Sequence, residues 1–319
     1  MFNKILQFKN SFNSTHLENM PKDLKYYQNI QHNFCDNIHS LYNKNLEEKI
    51  VLLNISLNNI NIDFFIYDNN DLLNWKDKFN QTLEVKGSYH VLNALKLYAD
   101  KYNYQNSDIT IIDIGANVGW YNTFFGLLNY SIISFESLYE SNYILKKNFC
   151  RNNKNFFGFS ASITIINETL NYTKTFCDYY KDSKNKKNDL ILCDKKKFKN
   201  LEKDYIKIGN FETIKSTNFF PYINGKRIVL LILDLEDKRE MILQSFKEFI
   251  LKYHITFVLI KCYKSLFKIH GLKPEYFLGF FTKHGYKISL NGFITKKFIS
   301  INDIMRTNNT IFNLYLIKN

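Results

Sequence analysis

A glycine turn that directly follows a buried strand, within residues 109–122, constrains the fold of this chain more than any other segment. The largely β-branched run Ile109–Ile112 predicts the strand, and a helix is expected to begin after Gly119. In open α/β sheets, ligands bind where such a turn leaves the carboxyl end of a strand. Gly115 lets the backbone approach a ligand closely, and Gly119 lets the helix pack against the strand.

A second strand is predicted at 131–136 and ends in a carboxylate, Glu136. An acid at the end of this strand is placed to accept hydrogen bonds from the hydroxyls of a ribose. The two segments together predict an enzyme with a nucleoside cofactor. A plain β-α-β unit that binds no ligand is the alternative.

The spacing of the turn separates two classes of cofactor. A loop that binds a dinucleotide has the pattern Gly-x-Gly-x-x-Gly, whose amides surround a pyrophosphate. This chain has Asp-x-Gly-x-x-x-Gly, with Asp113 at the entrance and Asn117 between the glycines. S-adenosylmethionine has no phosphate; its sulfonium and ammonium groups suit an acidic strand end, and its carboxylate suits a helix amino terminus. The spacing therefore favours S-adenosylmethionine over NAD.

Three segments, at 113–121, 135–136 and 145–148, resemble the cofactor half of the FkbM-family methyltransferases. In that family the corresponding patterns are Asp-Ile/Val-Gly-Ala-Asn-Ile/Val-Gly-x-Tyr/Phe, Phe-Glu-Pro and Leu-x-x-Asn. The resemblance implies that Glu136 holds the ribose hydroxyls. It also implies that the turn lines the methionine end of the cofactor, through Asp113, Gly115, Ala116, Asn117 and Gly119.

Ser137 stands where the family has proline, and it has two interpretations. It is a candidate cofactor contact, because it directly follows Glu136. The segment 137–140 also matches a capping box that opens the next helix.

An apolar run at 227–236 predicts another strand, which ends with Asp234 and Glu236. Their side chains point the same way, because residues two apart share a face of a strand. FkbM-like proteins have Lys-x-Asp-x-Glu-Gly-x-Glu here, so the resemblance makes both acids candidate catalytic residues. A carboxylate in this place can accept the proton of an acceptor hydroxyl or position the acceptor. Capping of a neighbouring helix is the alternative for Asp234.

The match to the family is incomplete on this side of the site. Ile232 replaces a lysine, Asp237 a glycine, and Lys261 a glutamate that the family usually has in the following strand. Asp237 is better explained as the cap of a helix over 238–252. Two carboxylates could also hold a divalent cation. No nearby histidine or third acid completes a metal-binding set in the sequence, so no metal is expected.

Alternating strand and helix patterns predict an α/β fold, with a mostly parallel sheet and helices on both faces. The resemblance implies a Rossmann-like class I methyltransferase domain over 87–319, with seven strands and an antiparallel last strand. Residues 1–86 are expected to form a small amino-terminal appendage with a β-hairpin at 49–67. The predicted strands cover 109–114, 131–136, 162–167, 228–235, 255–261, 286–290 and 310–317; the predicted helices cover 89–102, 119–128, 138–149, 238–252 and 274–284.

His90 stands at the predicted start of the helix over 89–102, where related methyltransferases sometimes have an acid. A general base and an ordinary helix-start residue are the two interpretations.

Composition bears on the partners of the chain. The 319 residues carry a formal net charge of +13, and a basic excess is typical of proteins that bind nucleic acid or membranes. Lysines concentrate at 181–203, which predicts a surface loop or insertion, but arginines are few and scattered. A nucleic-acid partner is therefore not favoured, and the resemblance implies a small-molecule or glycan acceptor.

Cysteine usage and hydropathy predict the compartment. The five cysteines form no Cys-x-x-Cys pair and are expected to be reduced. Charges interrupt every long apolar stretch, so neither a signal segment nor a transmembrane segment is expected. We therefore expect an intracellular, cytoplasmic protein.

These patterns lead to one leading hypothesis and two alternatives. The leading hypothesis is an S-adenosylmethionine-dependent methyltransferase that acts on an oxygen of a sugar or another small hydroxylated acceptor. The first alternative is a catalytically degenerate binding protein of the same fold, because of the residues at Ile232, Asp237 and Lys261. The second is an RNA methyltransferase, because of the net charge.

Overall fold

The computed structural model describes residues 50–67, 83–136, 139–152, 157–159, 162–163, 174–182, 190–192, 205–214, 225–234, 247, 249–263, 274–308 and 311–318. Ser137, Glu236 and Asp237, which the sequence singled out, lie outside these residues.

The described strands and helices alternate between residues 83 and 159 and again between residues 227 and 318. The strands are β1 (Ile50–Leu57), β2 (Ile60–Tyr67), β3 (Ile109–Ile114), β4 (Ser131–Phe135), β5 (Phe157–Phe159), β6 (Ser162–Ile163), β7 (Lys174–Asp182), β8 (Leu190–Leu192), β9 (Tyr205–Ile214), β10 (Arg227–Leu233), β11 (Phe257–Tyr263), β12 (Tyr286–Ser289) and β13 (Ile311–Lys318). The helices are α1 (Leu83–Tyr102), α2 (Trp120–Leu127), α3 (Tyr139–Asn152), α4 (Pro274–Lys283) and α5 (Ile301–Arg306); residues 249–252 are also helical.

The main sheet has the strand order β12-β13-β11-β10-β3-β4-β5. Strands β11, β10, β3, β4 and β5 run parallel, and β13 is antiparallel to both of its neighbours. The mostly parallel sheet and the antiparallel last strand agree with the prediction. From β3 the chain moves outward to β4 and β5 and later returns to β10 on the other side. This reversal lies between β3 and β10, where a Rossmann-like sheet opens its ligand crevice.

Helices pack on both faces of this sheet, because its central strands are apolar on both sides. Along β3, Ile109 and Ile111 face a core shared with α1 and α2. Ile112 and Ile114 face a second core, shared with α4 and α5. Every residue of β3 is buried, as expected of a strand covered on both faces.

The hairpin of β1 and β2 turns at Asn58 and Asn59, whose φ angles are 51° and 63°. A two-residue turn of this kind requires positive φ at both positions, and asparagine tolerates it better than most residues. Alternate residues of both strands are buried against the core of α1 and α2. Phe64 of β2 meets Trp120 edge to face, with ring centroids 5.4 Å apart. The hairpin that the sequence predicts is therefore present, and it packs against the site-bearing part of the fold.

Two predicted elements differ from those observed. The third core strand was predicted at 162–167, but the main sheet ends with β5, and Ser162–Ile163 pairs with β9 in a second sheet. A three-residue edge strand is too short to show a hydrophobic period. The second sheet, of order β6-β9-β7-β8, also contains described parts of the lysine-rich segment that was predicted as a surface loop or insertion.

Helix α1 begins at Leu83, earlier than the predicted start at residue 89. Gly87 and His90 therefore lie inside the helix. The glycine is explained by packing, since a Cβ at Gly87 would lie 2.5 Å from the hydroxyl oxygen of Tyr121. A helix interior normally disfavours glycine, so the sequence alone gave no reason to extend the helix through it.

Cys150, on α3, is disulfide-bonded, so the expectation that all the cysteines are reduced was wrong for this residue. Its partner sulfur lies outside the side chains that the structure describes. Disulfides are rare in cytosolic proteins, so this bond does not support the expected location. Among the described helices, none is long and apolar enough to cross a membrane.

Candidate active site

The turn between β3 and α2 has an unusual backbone, with φ angles of 82° at Gly115, 50° at Asn117 and 84° at Gly119. Only glycine adopts this conformation without strain, and asparagine is among the few other residues that adopt it at all. The amides of Gly115 and Ala116 donate to the carbonyl oxygen of Phe135, at 2.9 and 3.1 Å. The turn is therefore bonded to the end of the neighbouring strand β4.

Gly119 also lacks room for a side chain, because a Cβ there would lie 2.9 Å from Cγ of Leu145 on α3. Close packing of the turn against α3 therefore requires this glycine. The sequence predicted that this glycine lets the helix pack against the strand, but the atoms nearest to a Cβ placed there belong to Leu145 of the neighbouring helix α3.

Glu136 follows β4 directly and is buried, with 7% of its surface exposed. Its Oε2 accepts a hydrogen bond of 2.8 Å from the backbone amide of Asn117. Asn142 of α3 donates to the carbonyl oxygen of Glu136 at 3.2 Å. The structure thus places the acid of the second strand against the middle of the glycine turn.

Asp113 lies inside β3, just before the turn, and is 1% exposed. Neither of its carboxylate oxygens has a hydrogen-bond partner among the described residues. Burial raises its pKa well above the ordinary range, and the nearby carboxylates of Asp234 and Glu136 raise the pKa further. A buried carboxylate without a partner is costly, so this group suits either a proton or a cationic ligand.

Asp234 follows β10 and forms an ion pair that the sequence did not predict. Nζ of Lys261 lies 3.1 Å from Oδ2 of Asp234 and 2.7 Å from Oε1 of Glu84. The three side chains are 19–26% exposed, so the cluster is largely shielded from water. We call Glu84, Lys261 and Asp234 the charge cluster.

Strand register explains how the charge cluster forms. Strands β10 and β11 are parallel, with Leu233 opposite Ile260, so the next residues, Asp234 and Lys261, emerge side by side. Glu84 arrives from the first turn of α1. Asn313 of β13 fixes this helix start by donating to the carbonyl oxygen of Leu83 at 2.9 Å. Lys261 counted as a departure from the family pattern in the sequence, and here it forms ion pairs with two acids.

A small pocket opens at the charge cluster and encloses about 220 Å³, a volume that includes part of its open mouth. Burial raises the pKa of Tyr121 well above its usual range, and the charges of Glu84 and Asp234 add to this effect. The phenol therefore stays protonated and can donate a hydrogen bond. The pocket is lined by Leu83, Glu84, Tyr121, Ile232, Asp234, Leu259, Lys261 and Asn313.

His90 packs against the antiparallel strand β13. Its ring meets that of Tyr315 edge to face, with centroids 4.9 Å apart, and it lies directly against Gly292. Burial lowers the pKa of His90. These contacts are those of a packed side chain and favour the ordinary interpretation over a general base.

Two members of the charge cluster escaped the sequence-based prediction. No sequence pattern marked Glu84 as a site residue, because nothing near it in the sequence relates it to β10. Lys261 was noted in the sequence only because it replaces a glutamate that the FkbM family usually has at this position. Among the described residues, no group of three or more histidine, cysteine, aspartate or glutamate side chains could hold a metal ion.

Comparisons with known proteins show limited similarity. No protein-family model matches the chain, and no curated protein matches it. An rRNA methylase from Streptococcus thermophilus aligns over 67% of this chain and 89% of its own, with 12% identity and a TM-score of 0.37. A precorrin-6y C5,15-methyltransferase from Geobacter metallireducens aligns over 66% and 80%, with 13% identity and a TM-score of 0.30. The plantazolicin methyltransferase BpumL, in complex with SAH, aligns over 93% and 98%, with 12% identity and a TM-score of 0.34.

These values are too low to transfer a function or a site to this chain. The function of the chain is therefore inferred from its own sheet order and from the geometry of its own residues.

Proposed function

We propose that this protein is an S-adenosylmethionine-dependent methyltransferase. The observation that carries the proposal is the glycine turn at the carboxyl end of β3, with Glu136 held against it by the Asn117 amide at 2.8 Å. This places a carboxylate for ribose hydroxyls beside a turn that admits a ligand close to the backbone. The absence of the Gly-x-Gly-x-x-Gly pattern favours this cofactor over a dinucleotide.

The buried carboxylate of Asp113 supports the same cofactor. Its oxygens have no hydrogen-bond partner in the described part of the chain, and the pKa of the group is raised by burial. A cationic ligand would relieve that cost, and S-adenosylmethionine carries two cationic groups. When bound, it supplies an electrophilic methyl group. The residues proposed to hold it are Asp113, Gly115, Ala116, Asn117, Gly119 and Glu136, with Ser137 as a further candidate outside the described residues.

The acceptor side of the proposal rests on the charge cluster. Asp234 is proposed to accept the proton of an acceptor hydroxyl, and Glu236, outside the described residues, keeps the same proposed role from the sequence. Lys261 bonds both acids, so Glu84 can take up the ammonium when Asp234 turns to a substrate. We propose a sugar or another small hydroxylated molecule as the acceptor, as the FkbM resemblance implies.

A first experiment tests the cofactor. Isothermal calorimetry with S-adenosylmethionine and S-adenosylhomocysteine is compared between the wild type, Glu136→Gln and Glu275→Gln. Glu275 is an exposed acid in the first turn of α4 and serves as the matched control. We expect the Glu136 variant to bind at least about tenfold more weakly, since it loses a charge-assisted hydrogen bond, and the control to bind normally. No binding by the wild type would reject the proposed cofactor.

A second experiment tests the transfer. A labelled-methyl assay is run with sugars, other small hydroxylated compounds and structured RNA, using the wild type, Asp234→Asn and Asp100→Asn. Asp100 is an exposed acid on α1 and controls for the change of charge. We expect turnover to fall about a hundredfold in the Asp234 variant alone. Unchanged turnover would remove Asp234 from the mechanism, and transfer to RNA alone would replace the proposed acceptor.

One observation favours a second candidate, a protein that binds the cofactor without transferring its methyl group. Asp234 is already paired with Lys261, and a carboxylate that is paired with an ammonium is a weaker proton acceptor. Cofactor binding by the wild type, together with no transfer to any acceptor class, would support this candidate.

A further inference from the structure

Asn148 of α3 connects the glycine turn to the hairpin through a single side chain. Its Nδ2 donates to the carbonyl oxygen of Val118 at 2.8 Å and to that of Phe65 at 2.9 Å. Its Oδ1 accepts a hydrogen bond from the amide of Phe65. The side chain is completely buried. The side-chain amide of Asn148 thus forms hydrogen bonds with backbone groups of the turn and of β2, which lie far apart in the sequence.

The bond to Val118 falls at the most constrained point of the turn. Val118 stands between Asn117 and Gly119, which both have positive φ. Backbone in this region persists only where the surroundings fix it. Holding the carbonyl of Val118 fixes the plane of the following peptide, whose amide belongs to Gly119 and donates to Ala116 at 2.9 Å. Leu145, one helical turn earlier on α3, packs against the same glycine.

We infer that Asn148 is a positioning residue for the glycine turn and that the hairpin of β1 and β2 braces the turn through it. The inference rests on the proposed function, since it assigns the turn to cofactor binding. The bonds to Phe65 fix the amide from the side opposite the turn, so the side chain cannot rotate away from Val118. A turn that is fixed before binding loses less conformational entropy when the ligand enters, which strengthens binding. The hairpin is in this sense part of the cofactor site, although it lies outside the parallel sheet.

Asn152 provides a matched control on the same helix. It donates to the carbonyl oxygens of Asp63 at 2.6 Å and of Asn148 at 2.7 Å, and it accepts from the amide of Asp63 at 3.2 Å. It therefore makes the same kind of bonds to the same hairpin strand. Its bonds within the described part of the chain go to β2 and to α3, and not to the turn.

The test measures the affinity of the full chain for S-adenosylhomocysteine, together with the midpoint of thermal unfolding. The wild type is compared with Asn148→Asp, which keeps the acceptor oxygen and loses both donors, and with Asn152→Asp. Asn148→Ser, which buries no charge, replaces the aspartate variant if that variant does not fold. Both positions are expected to lower the unfolding midpoint. Only the Asn148 variants are expected to weaken binding, by at least about tenfold, because they alone release the turn.

The outcomes separate this inference from the function on which it rests. If the wild type binds and Asn148→Asp binds within about twofold of it, the inference is wrong and the proposed function stands. The inference is also wrong if Asn152→Asp weakens binding as much as Asn148→Asp does, because loss of stability would then explain both. No binding by the wild type rejects both the proposed function and the inference.

Discussion

The two sides of the candidate site are held by different interactions. On the cofactor side, backbone geometry sets the positions. Gly115, Asn117 and Gly119 adopt positive φ angles, and two amides of the turn bond to the end of β4. Most of these contacts lie within a short stretch of the chain. A Cβ placed at Gly119 would meet α3, so substitution there is restricted to glycine.

On the acceptor side, charges between side chains set the positions. The charge cluster combines residues from the start of α1 and from the ends of β10 and β11. The contrast teaches that a site held by backbone geometry can be recognised as a sequence motif. A site held by charges from residues far apart in the sequence cannot. Four mutational predictions test this contrast, and they are ordered by the size of the expected effect.

The largest effect is expected for Gly119→Ala. The substitution places a side chain at a φ of 84° and against Leu145, so we expect a loss of about 2–4 kcal/mol in the free energy of unfolding. Binding of S-adenosylhomocysteine should fall below detection. Urea unfolding and calorimetry measure the two effects.

Two other glycines separate the causes of that loss. Gly225 has a φ of 78°, and no atom of the described residues lies within 4 Å of a Cβ placed there, so Gly225→Ala should cost only the conformational part, about 1–2 kcal/mol. Gly279 lies in α4 and likewise has no such neighbour in the described part of the chain, so Gly279→Ala should be stabilising by up to about 1 kcal/mol. A Gly119 variant no worse than the Gly225 variant would show that packing against α3 is unimportant.

Asp113→Asn is expected to weaken cofactor binding and to stabilise the protein without ligand. The pKa of Asp113 is raised in the folded state, so this carboxyl lowers stability progressively as the pH rises from the ordinary pKa of an aspartate towards the raised value. At neutral pH the variant should be more stable by about 1–3 kcal/mol, the usual cost of a buried group without a partner. The gain should disappear as the pH approaches about 4, the ordinary pKa of an aspartate. Unfolding curves recorded about every pH unit between about pH 4 and pH 8 measure the difference in the free energy of unfolding between the variant and the wild type.

A variant that is less stable than the wild type at every pH would contradict this account. It would show that a partner stabilises the ionised carboxylate of Asp113 in the folded protein.

Lys261→Met tests the acceptor side. It removes the ammonium that contacts both Glu84 and Asp234, and because the cluster is partly exposed we expect a loss of about 1–2 kcal/mol in the free energy of unfolding. Adding Glu84→Gln to this variant should restore part of the loss, as a double-mutant cycle would detect. The loss should shrink at high salt, whereas the loss caused by Gly119→Ala should not. Equal effects of salt on the two variants would remove the distinction between the two sides.

The smallest effect is expected at the hairpin turn, in Asn59→Gly. Glycine adopts the φ of 63° more readily than asparagine, so the free energy of unfolding should rise by about 0.5 kcal/mol. Cofactor affinity should stay the same, since Asn148 contacts the hairpin at Phe65 and not at its turn. A change of affinity in this variant would mean that the whole hairpin, and not its contact with Asn148, governs the glycine turn.

Much of the fold followed from local patterns. The segment 109–114 showed an apolar run and became β3, and the hairpin turn at Asn58 and Asn59 followed from residues that tolerate positive φ. The start of α1 did not follow, because Gly87 is explained by a contact with Tyr121 that only the packed structure shows. The short edge strand β5 likewise has no periodic signal of its own.

The candidate site shows the same division. The pairing of the glycine turn with Glu136 was visible, because one β-α-β unit contains both and fixes their distance. The partnership of Lys261 with Glu84 was not visible, because the two residues meet only when α1 packs beside β10 and β11. Asn148 was seen as a motif residue, but its partners, Val118 and Phe65, were not.

The sequence by itself determined that this chain builds a glycine turn after a buried strand, with an acid after the next strand. It did so because backbone conformation is chosen locally, and few residue types fit positive φ. Only the tertiary structure decided that Asn148 of α3 bonds both that turn and the hairpin, and that Lys261 pairs with two acids, Glu84 and Asp234. Those contacts depend on the register of strands and the docking of helices, which are set by the burial of the whole core.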